Sequence, residues 1–171
     1  MKTQLTKEIE QALLRSCFAP NNKSLAKYFG AFEVTMGFSN QKLMMNSTNS
    51  SGIEVVDFLT YERNTDTFRC YEIKVSVSDL KSKCAKSFYG DYNYLVVPVS
   101  LIEEMGDSIK NYIPACAGII AYDSESGMLK EHKRVKKMTV SSENKEILKA
   151  SLIRSLFYKA YKKPYYNKER R

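Results

Sequence analysis

The spacing of apolar and polar residues changes several times along this chain, and each change predicts a different element. From about Thr3 to Cys17, apolar residues recur every three or four positions, which predicts a helix with one buried face. Continuously apolar runs at 92–98 and 117–123 predict strands covered on both faces. A second helical period, from about Glu143 to Tyr161, predicts a closing helix whose buried stripe consists of Leu148, Leu152 and Leu156.

The central part of the chain has the pattern of a β-hairpin. Two apolar runs between positions 55 and 76 flank the polar segment 62–67, whose Asn and Asp residues favour a turn. A short strand is predicted before it at 29–35. A helix is predicted after it from Val77 to Phe88, since Ser76 and Asp79 have the spacing of a capping box. Another helix is predicted near 101–109.

The order of these elements predicts the fold class. Helix, strands, helix, strand, helix, strand and helix together indicate an α/β protein with a mixed central β-sheet flanked by helices. A chain of 171 residues is expected to form one domain, here 1–171. Within it, the Asn- and Ser-rich segment at about 39–52 is predicted to be a loop. The basic, aromatic tail from about residue 162 is predicted to be a disordered terminus, with binding of single strands by stacking and charge as the alternative.

Three charged residues occur inside the strand-like runs of the hairpin. Asp57 is in the first run, and Glu72 and Lys74 are in the second, where alternation predicts that they project from the same side. A turn centred between positions 64 and 65 would place Asp57 directly opposite Glu72 and on the same face. Two facing carboxylates destabilise a hairpin unless a cation lies between them, so this pattern predicts a metal site.

The same residues resemble the signature of the PD-(D/E)xK nuclease superfamily. The sequence is most similar to the small nuclease-like proteins of the MmcB group and to related proteins of phages and mobile elements of Firmicutes. Besides Asp57 and the Glu72-Ile73-Lys74 run, the similarity includes the strand-like runs 92–98 and 117–123 and covers about residues 30–160. The Pro that gives the motif its name is replaced by Val56. The resemblance implies a restriction-endonuclease-like fold and Mg²⁺-dependent hydrolysis of phosphodiester bonds.

The resemblance also implies roles for individual residues. Asp57 and Glu72 would bind Mg²⁺ or Mn²⁺ together with the backbone carbonyl of Ile73, and Lys74 would orient the attacking water. The family often adds an acidic residue from an earlier element. Glu33 is the first candidate because it lies in a predicted strand, and Glu8 and Glu10 of the first helix remain open as alternatives.

The charge of the chain favours a polyanionic partner. Lys and Arg number 27 against 19 Asp and Glu, a formal net charge of +8, which favours nucleic acid and DNA in the first place. RNA remains open as a substrate. Exposed lysines after the Glu-x-Lys strand are candidates for phosphate contacts, or simply solvated residues of a helix: Lys81, Lys83 and Lys86.

Composition also indicates a compartment. Four Cys without paired spacing and one His form no zinc motif, and they are typical of reduced cytosolic thiols. Neither an apolar signal segment nor a membrane-length run occurs, so a cytoplasmic protein with no membrane partner is expected.

Two other functions are consistent with the same residues. One is a DNA-binding or protein-interaction factor of a phage or mobile element that keeps the nuclease fold with weak or no cleavage. The other is a nuclease acting on RNA. The scaffold of the superfamily serves repair, restriction and recombination, so the fold alone does not identify the substrate. Cutting both strands of a duplex would favour a homodimer.

Overall fold

The protein has a central mixed sheet with helices on both faces. The computed structural model describes residues 2–18, 27–36, 54–82 and 87–161, so the loop predicted at 39–52 and the tail from 162 lie outside the described residues. The six strands are β1 (Tyr28–Met36), β2 (Glu54–Glu62), β3 (Thr67–Ile73), β4 (Tyr92–Pro98), β5 (Gly118–Asp123) and β6 (Met128–Lys133). The helices are α1 (Gln4–Cys17), α2 (Val77–Lys81), α3 (Val99–Met105) and α4 (Ser142–Tyr161).

The strands lie in the sheet in chain order, from β1 at one edge to β6 at the other. The pairs β1–β2, β2–β3 and β5–β6 are antiparallel, whereas β3–β4 and β4–β5 are parallel. The parallel pairs require crossovers, which contain α2 and α3. The predicted fold class, an α/β protein with a mixed sheet flanked by helices, is confirmed.

Each face of the sheet is covered by different helices. On one face, Ile9 and Leu13 of α1 pack against Phe58, Tyr71 and Val96. The other face is covered by α2 and α3 over β4 and β5, and by α4, which packs mainly against β1. No helix among the described residues is both long and apolar enough to cross a membrane.

Two predicted helices differ from the structure, and one strand was not predicted. The helix after β3 begins as predicted at Val77, but it ends at Lys81 rather than Phe88. The amide of Ser87 instead donates to the Glu72 carboxylate, so a tertiary contact replaces a helical hydrogen bond. The helix predicted at 101–109 spans Val99–Met105 and continues as a 3₁₀ helix over 106–112. Strand β6 was not predicted, because its polar residues on both faces lack an apolar alternation.

The closing helix α4 buries a different stripe from the predicted one. Leu148 and Leu152 are buried as expected, but Leu156 is 39% exposed. The small side chains of Ser151 and Ser155 are buried instead and allow a close approach to the sheet. The prediction placed Leu156 inside because a large apolar residue at helical spacing normally lies in the core.

The alternation of β1 and β2 is interrupted where Glu33 lies beside Asp57. Val56 packs in the cluster under α4, whereas Phe58, two residues later, packs in the cluster under α1. Glu33 has a φ of 50°, a left-handed conformation that costs a non-glycine residue roughly 1–3 kcal/mol. The paired residues resume on both sides in the same register. At Asp57 the alternation of side chains between the two faces of the sheet therefore shifts by one residue. The sequence pattern had singled out this same residue.

Candidate active site

Asp57 lies at the point where β2 and β3 separate. The two strands pair from Glu62↔Thr67 to Phe58↔Tyr71, and the next step in that register would join Asp57 and Glu72. The centre of this register falls between positions 64 and 65, as predicted. At the next step, the Oδ2 atom of Asp57 accepts a hydrogen bond from the Ile73 amide at 2.8 Å. Its side chain thus takes a hydrogen bond that a backbone carbonyl would accept in a regular ladder.

Glu72 and Lys74 are buried neighbours at the end of β3. They are 1% and 8% exposed, respectively. The Oε1 atom of Glu72 accepts the Ser87 amide at 3.0 Å, and its Oε2 atom lies 3.8 Å from the Lys74 ammonium. Lys74 also acts electrostatically on Asp57. The alternation of β3 thus brings Glu72 and Lys74 to one side, as predicted, and the Lys74 charge influences both carboxylates.

Asp79 is a third carboxylate at this position, and sequence reasoning had assigned it only to a helix cap. It does complete the cap, because its amide donates to the Ser76 hydroxyl at 3.2 Å. Its Oδ1 atom also lies 3.8 Å from the Lys74 ammonium, and Oδ2 accepts the Val75 amide at 3.3 Å. The signal available in the sequence was the five-residue separation of Lys74 and Asp79 across a strand-to-helix turn.

Two of the three predicted upstream acids, Glu10 and Glu33, lie around Lys2 rather than around Lys74. The Lys2 ammonium forms ion pairs with Glu10 and with Glu33, the latter at 3.0 Å. Lys2 also acts electrostatically on Asp57, so this group borders the candidate site. Glu33, the first candidate from sequence, is exposed, whereas the Glu10 carboxylate is 17% exposed. Glu8 hydrogen bonds to Gln4 within α1.

A further acidic residue on β2, Glu54, was not among the residues predicted from the sequence. Glu54 is 8% exposed, and its Oε2 atom has no hydrogen-bond partner among the described residues. Its alternation with the buried Val56 could have revealed that it points inward. It lies three residues from Asp57 along the strand, roughly 10 Å.

The lysines predicted to contact phosphates are only partly described. Lys81 is exposed at the end of α2, and no ion pair to another described residue holds it. Lys83 and Lys86 lie outside the described residues.

The negative charge of Asp57 is only partly compensated by its surroundings. Burial raises the pKa of Asp57, and although the Ile73 amide and the charge of Lys74 oppose this, the pKa remains above its ordinary value of 3.8. The negative charge is therefore incompletely compensated, and a cation would stabilise it. Carboxylate oxygens suit Mg²⁺, which keeps several waters and needs only one or two carboxylates. No group of three or more His, Cys, Asp or Glu side chains within the described ranges is arranged as a metal site.

We expect Asp57→Asn to raise the free energy of unfolding of the metal-free protein at neutral pH by about 0.5–2 kcal/mol. Asn keeps an oxygen that can accept the Ile73 amide, but it removes the buried charge. Because the folded-state pKa of Asp57 is raised, the native state binds its proton more tightly than the unfolded state. Wild-type stability therefore falls relative to the variant as pH rises from the unfolded pKa through the folded one.

Urea unfolding of wild type and variant across this pH range measures the effect. The two proteins should have nearly equal stability below about pH 4, with a difference that grows and then becomes constant. A variant that is equally or less stable at neutral pH would contradict the uncompensated charge.

Comparison with known proteins shows the fold alone. The sequence matches no protein-family model, and none of the curated proteins is significantly similar to it. The structure is similar to that of a protein of unknown function from Silicibacter pomeroyi, with a TM-score of 0.62 and 10% sequence identity. The similarity covers 100% of this chain and 97% of the other.

Proposed function

We propose that this protein is a metal-dependent phosphodiesterase of the PD-(D/E)xK type that cleaves DNA. The observation that carries the proposal is the buried Glu72–Lys74 pair beside Asp57, at the separation of β2 and β3. Buried charges are costly unless they are paired, and a strand ladder is normally closed by backbone groups rather than a carboxylate. The arrangement would therefore cost stability if its role were only structural, whereas it is typical of an active site.

Asp57 and Glu72 would hold Mg²⁺ in this proposal. When bound, the ion supplies positive charge that polarises the phosphate and activates water. The backbone fixes both carboxylates in advance, Asp57 through the Ile73 amide and Glu72 through the Ser87 amide. A site whose ligands are held by backbone amides loses little freedom when the cation binds.

Lys74 would stabilise the charge that develops on the phosphate and orient the water. Its ammonium is held at 3.8 Å from both Glu72 and Asp79, which restricts where it can point. Because the side chain is buried, its electrostatic effect is stronger than it would be in water. Asp79 is accordingly a positioning residue for Lys74.

A nuclease-fold protein that binds DNA without cleaving it is the second candidate. The described residues contain no cluster of three metal-binding side chains, and Asp57 and Glu72 already accept backbone hydrogen bonds. If no metal binds there, Asp57, Glu72 and Lys74 would have only a structural role.

Calorimetric titration with Mg²⁺ and Mn²⁺ distinguishes the two candidates. Wild type and Glu72→Gln are titrated, and both are incubated with labelled duplex DNA, single-stranded DNA and RNA. Metal binding and cleavage in wild type, both lost in Glu72→Gln, would support the nuclease and identify its substrate. No metal uptake by the wild type, combined with DNA binding, would overturn the nuclease in favour of the binding protein.

A further inference from the structure

The edge of the sheet opposite β1 carries a concentration of positive charge that the proposed reaction does not use. Residues 130–137 include five Lys or Arg, one Glu and one His, so this segment holds half of the formal net charge of +8. We call its four exposed basic residues the basic strip: Lys130, Arg134, Lys136 and Lys137.

The charges of the basic strip are not compensated within the described part of the chain. None of the four residues forms an ion pair with another described residue. Basic residues elsewhere behave differently: Lys2, Lys27 and Arg69 are each paired with a carboxylate. Burial lowers the pKa of Lys133 within the segment, and the positive charges of Lys136 and Lys110 act in the same direction. Positive potential therefore accumulates at this edge.

The backbone holds the strip in a fixed position. Lys130 belongs to β6 and pairs with Ala121 of β5. Beyond β6, the amide of Lys136 donates to the Cys116 carbonyl at 2.8 Å, and the amide of Met138 donates to the Asp91 carbonyl at 2.7 Å. The strip is thus bonded along the sheet, and an extended segment of this length spans about 20 Å. Several phosphates of one DNA strand fit beside it, since they are spaced about 3.4 Å apart along the axis.

The strip begins level with the candidate active site and continues towards the opposite end of the strands. In the sheet, Val96 pairs with both Ile73 and Ile120, which makes Lys74 and Ala121 the next residues along their strands. Because Ala121 pairs with Lys130, the first residue of the strip lies level with Lys74. Three strand spacings separate them, roughly 14 Å.

We infer that the basic strip binds the phosphate backbone of the nucleic acid that the active site cleaves. The choice of partner rests on the proposed function. Ammonium and guanidinium groups that pair with no described carboxylate, in an extended row that is anchored to the sheet and begins level with Lys74, fit a linear polyanion. The strip makes contacts of charge rather than of base identity, so it contributes affinity without sequence preference.

Fluorescence anisotropy with a short labelled DNA duplex, in EDTA to prevent cleavage, tests the inference on the full chain. K130Q/R134Q removes two strip charges, and K7Q/R63Q removes one Lys and one Arg that are also exposed but lie elsewhere. We expect K130Q/R134Q to bind on the order of tenfold to a hundredfold more weakly at low salt, whereas K7Q/R63Q should bind nearly as wild type.

Salt dependence gives a second readout that misfolding does not mimic. Between about 50 and 200 mM salt, the slope of log affinity against log salt should fall by roughly 2 for K130Q/R134Q. Circular dichroism confirms that each variant is folded. Equal affinity and slope in the strip and control variants would overturn the inference.

Three other outcomes separate this inference from the proposed reaction. Weaker DNA binding by K130Q/R134Q together with no metal uptake by the wild type would support the strip as the binding surface while overturning the proposed reaction. Wild type that binds phosphatidylserine-containing vesicles but no DNA or RNA would overturn the inference. Self-association of K130Q/R134Q with unchanged DNA binding would also overturn it, because edge lysines can serve only to prevent strand pairing.

Discussion

We expect Asp57→Asn to abolish magnesium-dependent cleavage of DNA, with a rate lowered by on the order of a thousandfold or more. The substitution keeps an oxygen for the Ile73 amide, so the local backbone is preserved. It removes the negative charge that would hold the cation, and a neutral amide is a poor ligand for Mg²⁺. Initial cleavage rates at saturating Mg²⁺, measured with the substrate identified by the nucleic-acid panel, provide the comparison.

A matched control is Asp107→Asn, which makes the same chemical change at a side chain that is 92% exposed. It should cleave at the wild-type rate. Because Asp57→Asn is also expected to be more stable without metal, loss of activity through unfolding is directly testable in the same samples. Near-normal cleavage by stably folded Asp57→Asn would remove this residue from the reaction.

We expect Lys74→Met to lower the cleavage rate by roughly a hundredfold to a thousandfold while Mg²⁺ binding is retained or strengthened. Met has a similar length and fills the buried volume, but it carries no charge to stabilise the phosphate. Removing the ammonium that lies 3.8 Å from Glu72 also removes a competitor for the cation. Calorimetry for the metal and single-turnover kinetics for cleavage separate the two effects.

Lys7→Met serves as the control for Lys74→Met, because Lys7 is an exposed residue of α1. The combination of retained metal binding and lost cleavage is the result that defines the role of Lys74. Loss of both metal binding and folding would instead show that Lys74 is needed to balance the buried charge of Glu72 and the partly exposed charge of Asp79.

The hairpin shows why part of the candidate site was predictable from sequence. The polar segment 62–67 and the flanking apolar runs determine the register of β2 and β3, and that register predicts Asp57 opposite Glu72. Strand alternation likewise predicts that Glu72 and Lys74 share a side. These are local relations, set by a period of two and by the position of one turn.

Features that depend on tertiary contacts were not predictable in the same way. No capping signal indicates that α2 ends at Lys81 or that the Ser87 amide donates a hydrogen bond to Glu72. The second role of Asp79 requires knowing that the chain turns directly after β3. The Lys2 ion pairs join α1 to β1 across separate segments of the chain. Strand β6 is exposed and basic, so its partner strand rather than its own pattern defines it.

The hydrogen bond from the Ile73 amide to Asp57 gives the protein an internal spectroscopic reporter. The amide proton is hydrogen-bonded to a carboxylate that titrates, whereas most strand amides are hydrogen-bonded to carbonyl groups, which do not titrate. Its nuclear magnetic resonance frequency therefore follows the charge on Asp57 as pH changes. Ligands that alter that charge become visible at one backbone position of the unmodified wild-type chain, without substrate, dye or turnover.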